Sequence, residues 1–141
     1  MSDIVICDTN AVIQLAIICP DCLKDPRFVV HTMVRQEIHV LRKDQEKEER
    51  LGEIFEFIQK EVPANSKYHL PGRKQEQIFN GMIRRFESGQ SPELISSGSS
   101  PNDRKFLMLA KHNNANLLTN EKTLFNLGKA LLKNQETWRV G

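Results

Sequence analysis

Ile4-Val5-Ile6-Cys7 is an unbroken apolar run, and the polar triplet Asp8-Thr9-Asn10 ends it. A short run without alternation reads as a strand covered on both faces, the kind that parallel sheets contain. Ala11, Val12, Leu15, Ala16, Ile17 and Ile18 follow at helical spacing and stop ahead of Pro20, which the preceding residue cannot enter in helical conformation. Strand, polar corner and helix in that order predict a parallel sheet whose loops carry the chemistry.

The same grammar continues outward. Phe28-Val29-Val30 is a second strand candidate, and Val34, Ile38 and Leu41 resume helical spacing. Between Lys43 and Val62, Leu51, Ile54, Phe55, Ile58 and Val62 recur at steps of three and four, so a helix is expected there with its charged residues facing water. A shorter helix is expected around Ile78, Phe79, Met82, Ile83 and Phe86. Ser88 to Ser100, rich in Ser and Gly with Pro92, reads as a loop inside one domain. Phe106, Leu107, Leu109 and Ala110 mark a further helix, Asn116 to Thr119 a strand, Leu124 to Leu132 a helix, and Thr137 to Val140 a last strand. Strands alternating with helices predict an α/β chain with a central, mainly parallel sheet, forming a single domain over residues 1–141.

Bulk properties narrow the function. With 39% hydrophobic and 27% charged residues, the chain can bury a core. A net charge of +2 is too weak to announce a nucleic-acid partner, so any such contact must come from local basic patches. No apolar run approaches the roughly 18–20 residues needed to span a bilayer, so no membrane partner is expected. Met1-Ser2-Asp3 carries no basic region of a secretory signal, which makes the cytoplasm the expected compartment. Cys7 reads as a buried small side chain. Cys19 and Cys22 form a CxxC; three cysteines within the first 22 residues make no disulfide framework, and no second ligand pair follows to complete a zinc site, with or without His31.

Ligands of parallel sheets gather beyond the carboxyl ends of the strands, and four acids fall there. Asp8 follows the first strand directly, and Glu121 follows the Asn116–Thr119 strand with Asn120 between. Asp103 opens the helix that leads into that strand. Glu37 lies early in the helix after the second strand, on a face shared with Val34 and Leu41 that would ordinarily point inward. Each has a plain structural explanation. Asp8-Thr9-Asn10 can cap a helix, Ser100-Pro101-Asn102-Asp103 fits a capping box with Pro at the first position, Asn120-Glu121 can be a cap followed by a dipole-favoured acid, and Glu37 can be a partly exposed side chain near Arg35 or Lys43. Those explanations do not account for all four acids meeting at one sheet edge. Two like charges about 4 Å apart repel by roughly 4 kcal/mol at an effective dielectric near 20. Hard divalent ions such as Mg²⁺ or Mn²⁺ relieve that strain and assist phosphodiester cleavage.

The ordered segments resemble the PIN domain family of metal-dependent nucleases. Ile4-Val5-Ile6-Cys7-Asp8-Thr9-Asn10-Ala11-Val12-Ile13 resembles its opening strand, and His31-Thr32-Met33-Val34-Arg35-Gln36-Glu37-Ile38 its next segment. Ser100-Pro101-Asn102-Asp103-Arg104-Lys105-Phe106-Leu107 resembles the third, and Asn116-Leu117-Leu118-Thr119-Asn120-Glu121 the fourth. The resemblance implies a three-layer α/β/α sandwich. It makes Asp8, Glu37, Asp103 and Glu121 metal ligands and catalytic acids, although Glu121 stands where the family commonly has Asp. It makes Asn10, Thr119 and Asn120 groups that orient those carboxylates. It implies Mg²⁺ or Mn²⁺ as cofactor and endonucleolytic hydrolysis of RNA to a 5′-phosphate and a 3′-hydroxyl. Small members resemble toxins of toxin–antitoxin pairs, so an inhibitory antitoxin protein and a homodimer are the implied protein partners.

Arg104 and Lys105, beside Asp103, are the best-placed candidates for substrate phosphate; Arg42, Lys43, Arg73, Lys74, Arg84 and Arg85 could add contacts that read no sequence. Aromatic content is 6%, against an extended base-stacking platform. The alternative is a catalytically weak or inactive PIN-like module that binds RNA or protein in RNA processing. A phosphatase or flavodoxin-like domain fits less well, because no Gly-rich phosphate loop and no activated Ser or Cys stands out.

Overall fold

The computed structural model describes residues 3–41, 43, 48–63, 67–89 and 101–140. Within them lie four strands, β1 (Val5–Cys7), β2 (Phe28–Val29), β3 (Asn116–Thr119) and β4 (Thr137–Arg139). Six α-helices accompany them: α1 (Thr9–Ile18), α2 (Thr32–Leu41), α3 (Glu48–Glu61), α4 (Arg73–Ser88), α5 (Pro101–His112) and α6 (Lys122–Leu131). A 3-10 turn over Pro20–Lys24 joins α1 to β2. The Ser/Gly stretch falls mostly outside the described residues.

The four strands form one sheet in the order β2-β1-β3-β4, and every neighbouring pair is parallel. Side-chain alternation sorts its two faces. Val5, Phe28, Leu118 and Trp138 line a groove together with Leu15 of α1. On the other face Ile6, Val29, Leu117 and Thr119 are wholly buried. There α5 packs on β1 and β3, and α6 packs on β3 and β4. Helices thus lie on both faces, an arrangement compatible with a three-layer sandwich. On the α1 face, Trp138 at the β4 margin keeps 41% of its surface exposed.

Local chemistry sets the element ends that position the site. Asp8 caps α1, its Oδ1 accepting the Ala11 N–H at 2.8 Å. α5 closes in a Schellman motif: Asn114 takes a left-handed φ of 51°, Ala115 N–H bonds to Ala110 C=O at 2.8 Å, and Asn114 N–H to Lys111 C=O at 3.3 Å. That reversal delivers the chain into β3. Gly128 of α6 is required by close approach, since a Cβ there would stand 2.5 Å from Thr137 Oγ1.

Three elements differ from expectation. α4 is the longest described helix at 16 residues, not a short one; its first turn, Arg73 to Gln77, is wholly polar and offers no apolar spacing to read. Leu41 does not point into the core with Val34 and Ile38, and remains 36% exposed. Cys19 and Cys22 are joined by a disulfide. It spans one turn already closed by the Cys22 N–H bond to Cys19 C=O at 3.0 Å. His31 does not extend that pair into a metal site. Its Nδ1 accepts the Met33 N–H at 3.1 Å at the start of α2, and its Nε2 lies 3.2 Å from the Tyr68 carbonyl oxygen.

Candidate active site

A cleft of about 910 Å³ opens at the carboxyl edge of the sheet, and Asp8, Glu37, Asp103 and Glu121 all line it. Strand direction explains the gathering. β1 and β3 run parallel, so Asp8 and Glu121 leave the sheet at the same edge. α5 runs back toward the start of β3, which places its first turn, with Asp103, at that edge too. α2 follows β2 and brings Glu37.

Asp8 is the anchor and is only 2% exposed. Its backbone N–H bonds to Leu118 C=O at 3.1 Å, which locks it against β3. While Oδ1 caps α1, Oδ2 accepts the hydroxyl of Thr119. Thr119 Oγ1 in turn accepts the Glu121 N–H at 2.9 Å. The Asp8 carboxyl is pushed up to about 6: burial raises it most, the bonds from Thr119 and Ala11 pull it down, and the charges of Asp103 and Glu121 push it up. The last two influences place Asp103 and Glu121 within electrostatic reach of Asp8.

The two glutamates are each held by an amide. Asn10 Nδ2 donates to Glu121 Oε1 at 2.5 Å, and Asn102 Nδ2 donates to Glu37 Oε1 at 2.5 Å. The first tie joins α1 to the start of α6, and the second joins α2 to α5. Asn120 is half-buried outside the cleft wall. Glu121 occupies the N-cap position of α6, but its side chain makes no capping bond.

Lys105 is the one basic side chain lining the cleft among the described residues; Arg104 is half-buried outside its walls. Lys43, Arg73, Lys74, Arg84 and Arg85 are exposed and are not part of its lining, and Arg42 lies outside the described residues. Met33, Val40, Leu41 and Phe106 give the cleft an apolar wall that the sequence reading did not pick out. The adjacent apolar residues Val40-Leu41 at the end of α2 are the sequence signal for it.

The donor set fits a hard divalent ion. Every candidate is an oxygen donor, and Asp8 is buried under the repulsion of two further acids. Beside it Thr9 lines the cleft with a buried hydroxyl that has no hydrogen-bond partner. Spacing is the looser part of the fit. Among the described residues no three His, Cys, Asp or Glu side chains are gathered closely enough to hold one ion.

Comparison of the chain with protein-family models, with curated proteins and with solved structures returned no match.

Proposed function

We propose that the protein is a metal-dependent endoribonuclease of the PIN type, acting at the cleft around Asp8. The observation that carries this reading is the shared cleft: four acids from four separate elements line one opening at the carboxyl edge of a parallel sheet. Three independent acids at helix starts and a surface glutamate have no reason to meet. The three-layer PIN-like architecture and a role as the toxin of a toxin–antitoxin pair belong to the same proposal.

In this reading Asp8, Asp103, Glu37 and Glu121 hold Mg²⁺ or Mn²⁺. The ion supplies Lewis-acid stabilisation of the charge that builds on the scissile phosphate. The chain's own groups do the rest. Thr119 and the Ala11 N–H fix both oxygens of Asp8. Asn10 and Asn102 orient the glutamates. Lys105 meets a phosphate as a point charge. Met33 and Phe106 limit water on the apolar side.

The test is cleavage of a mixed RNA pool by the wild-type protein with Mg²⁺ or Mn²⁺, compared with Asp8→Asn. Loss of cutting by at least a hundredfold in the variant is expected. Equal activity in both proteins would sink the proposed site.

A second reading has its own support. Glu37 and Glu121 each have one oxygen committed to an amide, and the acids are not gathered into a three-ligand group among the described residues. A PIN-like module that binds RNA or protein without cutting accounts for both facts. It predicts retention of RNA or protein by the wild-type chain with no cation-dependent cleavage.

A further inference from the structure

Asn102 is exposed, yet its amide is committed to a carboxylate 65 positions away in the chain. Holding an exposed side chain in one rotamer costs conformational entropy, so the bond to Glu37 needs a reason. The position is the second residue of α5, where the helix dipole would favour an acid. An Asp there would set a further negative charge against Glu37 and could not donate while ionised. Ser is too short to span the same distance, and Gln would displace the amide by a methylene. Asn is the short, neutral donor that the geometry calls for.

The next residue is Asp103, so the tie does more than restrain Glu37. It sets a carboxylate of α2 beside the turn of α5 that carries another. Glu37 shares its stretch of cleft with Met33, Val40 and Leu41. A free carboxylate beside that apolar wall gains by turning toward water. The amide holds it on the α5 side instead.

We infer that Asn102 is a positioning residue for the cation site: by donating to Glu37 Oε1 it holds the α2 carboxylate at the first turn of α5, the turn that carries Asp103, so that both helices offer an acid to one ion. This assignment rests on the metal-dependent reading above. Asn10, holding Glu121 from α1, is the corresponding tie on the other side of Asp8.

The experiment titrates Mn²⁺ alone into the full-length protein by calorimetry, beside melting of the metal-free protein. Asn102→Ala is expected to raise the Mn²⁺ dissociation constant by about tenfold or more, the usual range for loss of a group that orients a ligand. Melting of the metal-free chain should move little, because the side chain is exposed. Asn102→Ser, which keeps a small polar residue at the helix start but cannot reach Glu37, should show the same loss. In a Glu37→Gln background the Asn102→Ala change should add nothing, since the two residues act as one unit. An Asn102→Ala protein that binds Mn²⁺ as wild type does, or one whose loss is unchanged in the Glu37→Gln background, overturns the assignment alone. A wild-type protein that takes up no Mn²⁺ at millimolar concentration overturns the metal-dependent reading and the assignment with it.

Discussion

Thr119 donates its hydroxyl to Asp8 Oδ2 while accepting the Glu121 N–H, so one side chain at the end of β3 serves two of the acids at once. Both oxygens of Asp8 are therefore anchored, yet its charged form is destabilised. Its ionised form is buried, and it faces Asp103 and Glu121.

That destabilisation has a sign. The folded carboxyl of Asp8 titrates near 6, above its ordinary value of 3.8. A raised folded value favours the protonated native state, so the penalty is absent below about pH 4 and complete above about pH 6. Asp8→Asn should therefore stabilise the metal-free protein at pH 7.5, by at most roughly 3 kcal/mol. The gain should fade as the pH falls through that window. Urea denaturation of both proteins at pH 7.5 and pH 4.5 checks it; a variant less stable than wild type at pH 7.5 refutes it.

Arg35 holds the end of α3. Its guanidinium reaches Ile58 C=O at 3.2 Å, Gln59 Oε1 at 3.1 Å, Val62 C=O at 3.4 Å and Pro63 C=O at 3.3 Å. Ile58 C=O already accepts the Val62 N–H, and the guanidinium adds a second donor there, while the Val62 and Pro63 carbonyls lie just past the last residue of α3. Arg35→Ala should cost about 1–3 kcal/mol in urea denaturation. Arg35→Lys should recover little, because an ammonium cannot span the fork.

Gly128→Ala should destabilise although alanine is the better helix former. The added methyl would stand 2.5 Å from Thr137 Oγ1 and 2.7 Å from its Cγ2, forcing α6 away from β4. The expected loss is about 1–3 kcal/mol. Thr137→Ala removes both obstructing atoms, and Thr137 Oγ1 has no hydrogen-bond partner to lose. The double variant should melt closer to wild type than Gly128→Ala does.

His31 should make the start of α2 acid-sensitive. Burial lowers its affinity for a proton and nearby His69 lowers it further, against the opposing bond to Tyr68 C=O. A depressed folded value means that stability present above about pH 6.5 declines as the pH falls through it. Protonation also places a hydrogen on the nitrogen that accepts the Met33 N–H. His31→Asn, able to cap without titrating, should flatten that decline in a pH series of melting curves.

Much of the arrangement was legible from residue order. The apolar run before Asp8 and the Leu117-Leu118 core of β3 read as buried strands, and parallel strands send Asp8 and Glu121 to one edge. Sequence spacing could not show the cross-ties. Asn102 meets Glu37 across 65 residues, and Arg35 meets the end of α3 only because α2 and α3 pack together. Nor could periodicity place Leu41, whose helical register matches Val34 but whose position lies beyond the edge of the core.

The ties that complete the Asp8 corner, Thr119 to Asp8 and Asn10 to Glu121, each span 111 residues. A nascent chain therefore exposes Asp8 long before it owns the groups that orient it. Synthesis from the amino terminus completes the corner only when the chain through Glu121 has emerged and β3 has inserted beside β1. Shortened translation products ending before Thr119 would leave the Asp8 carboxylate without its second anchor however well α1 forms.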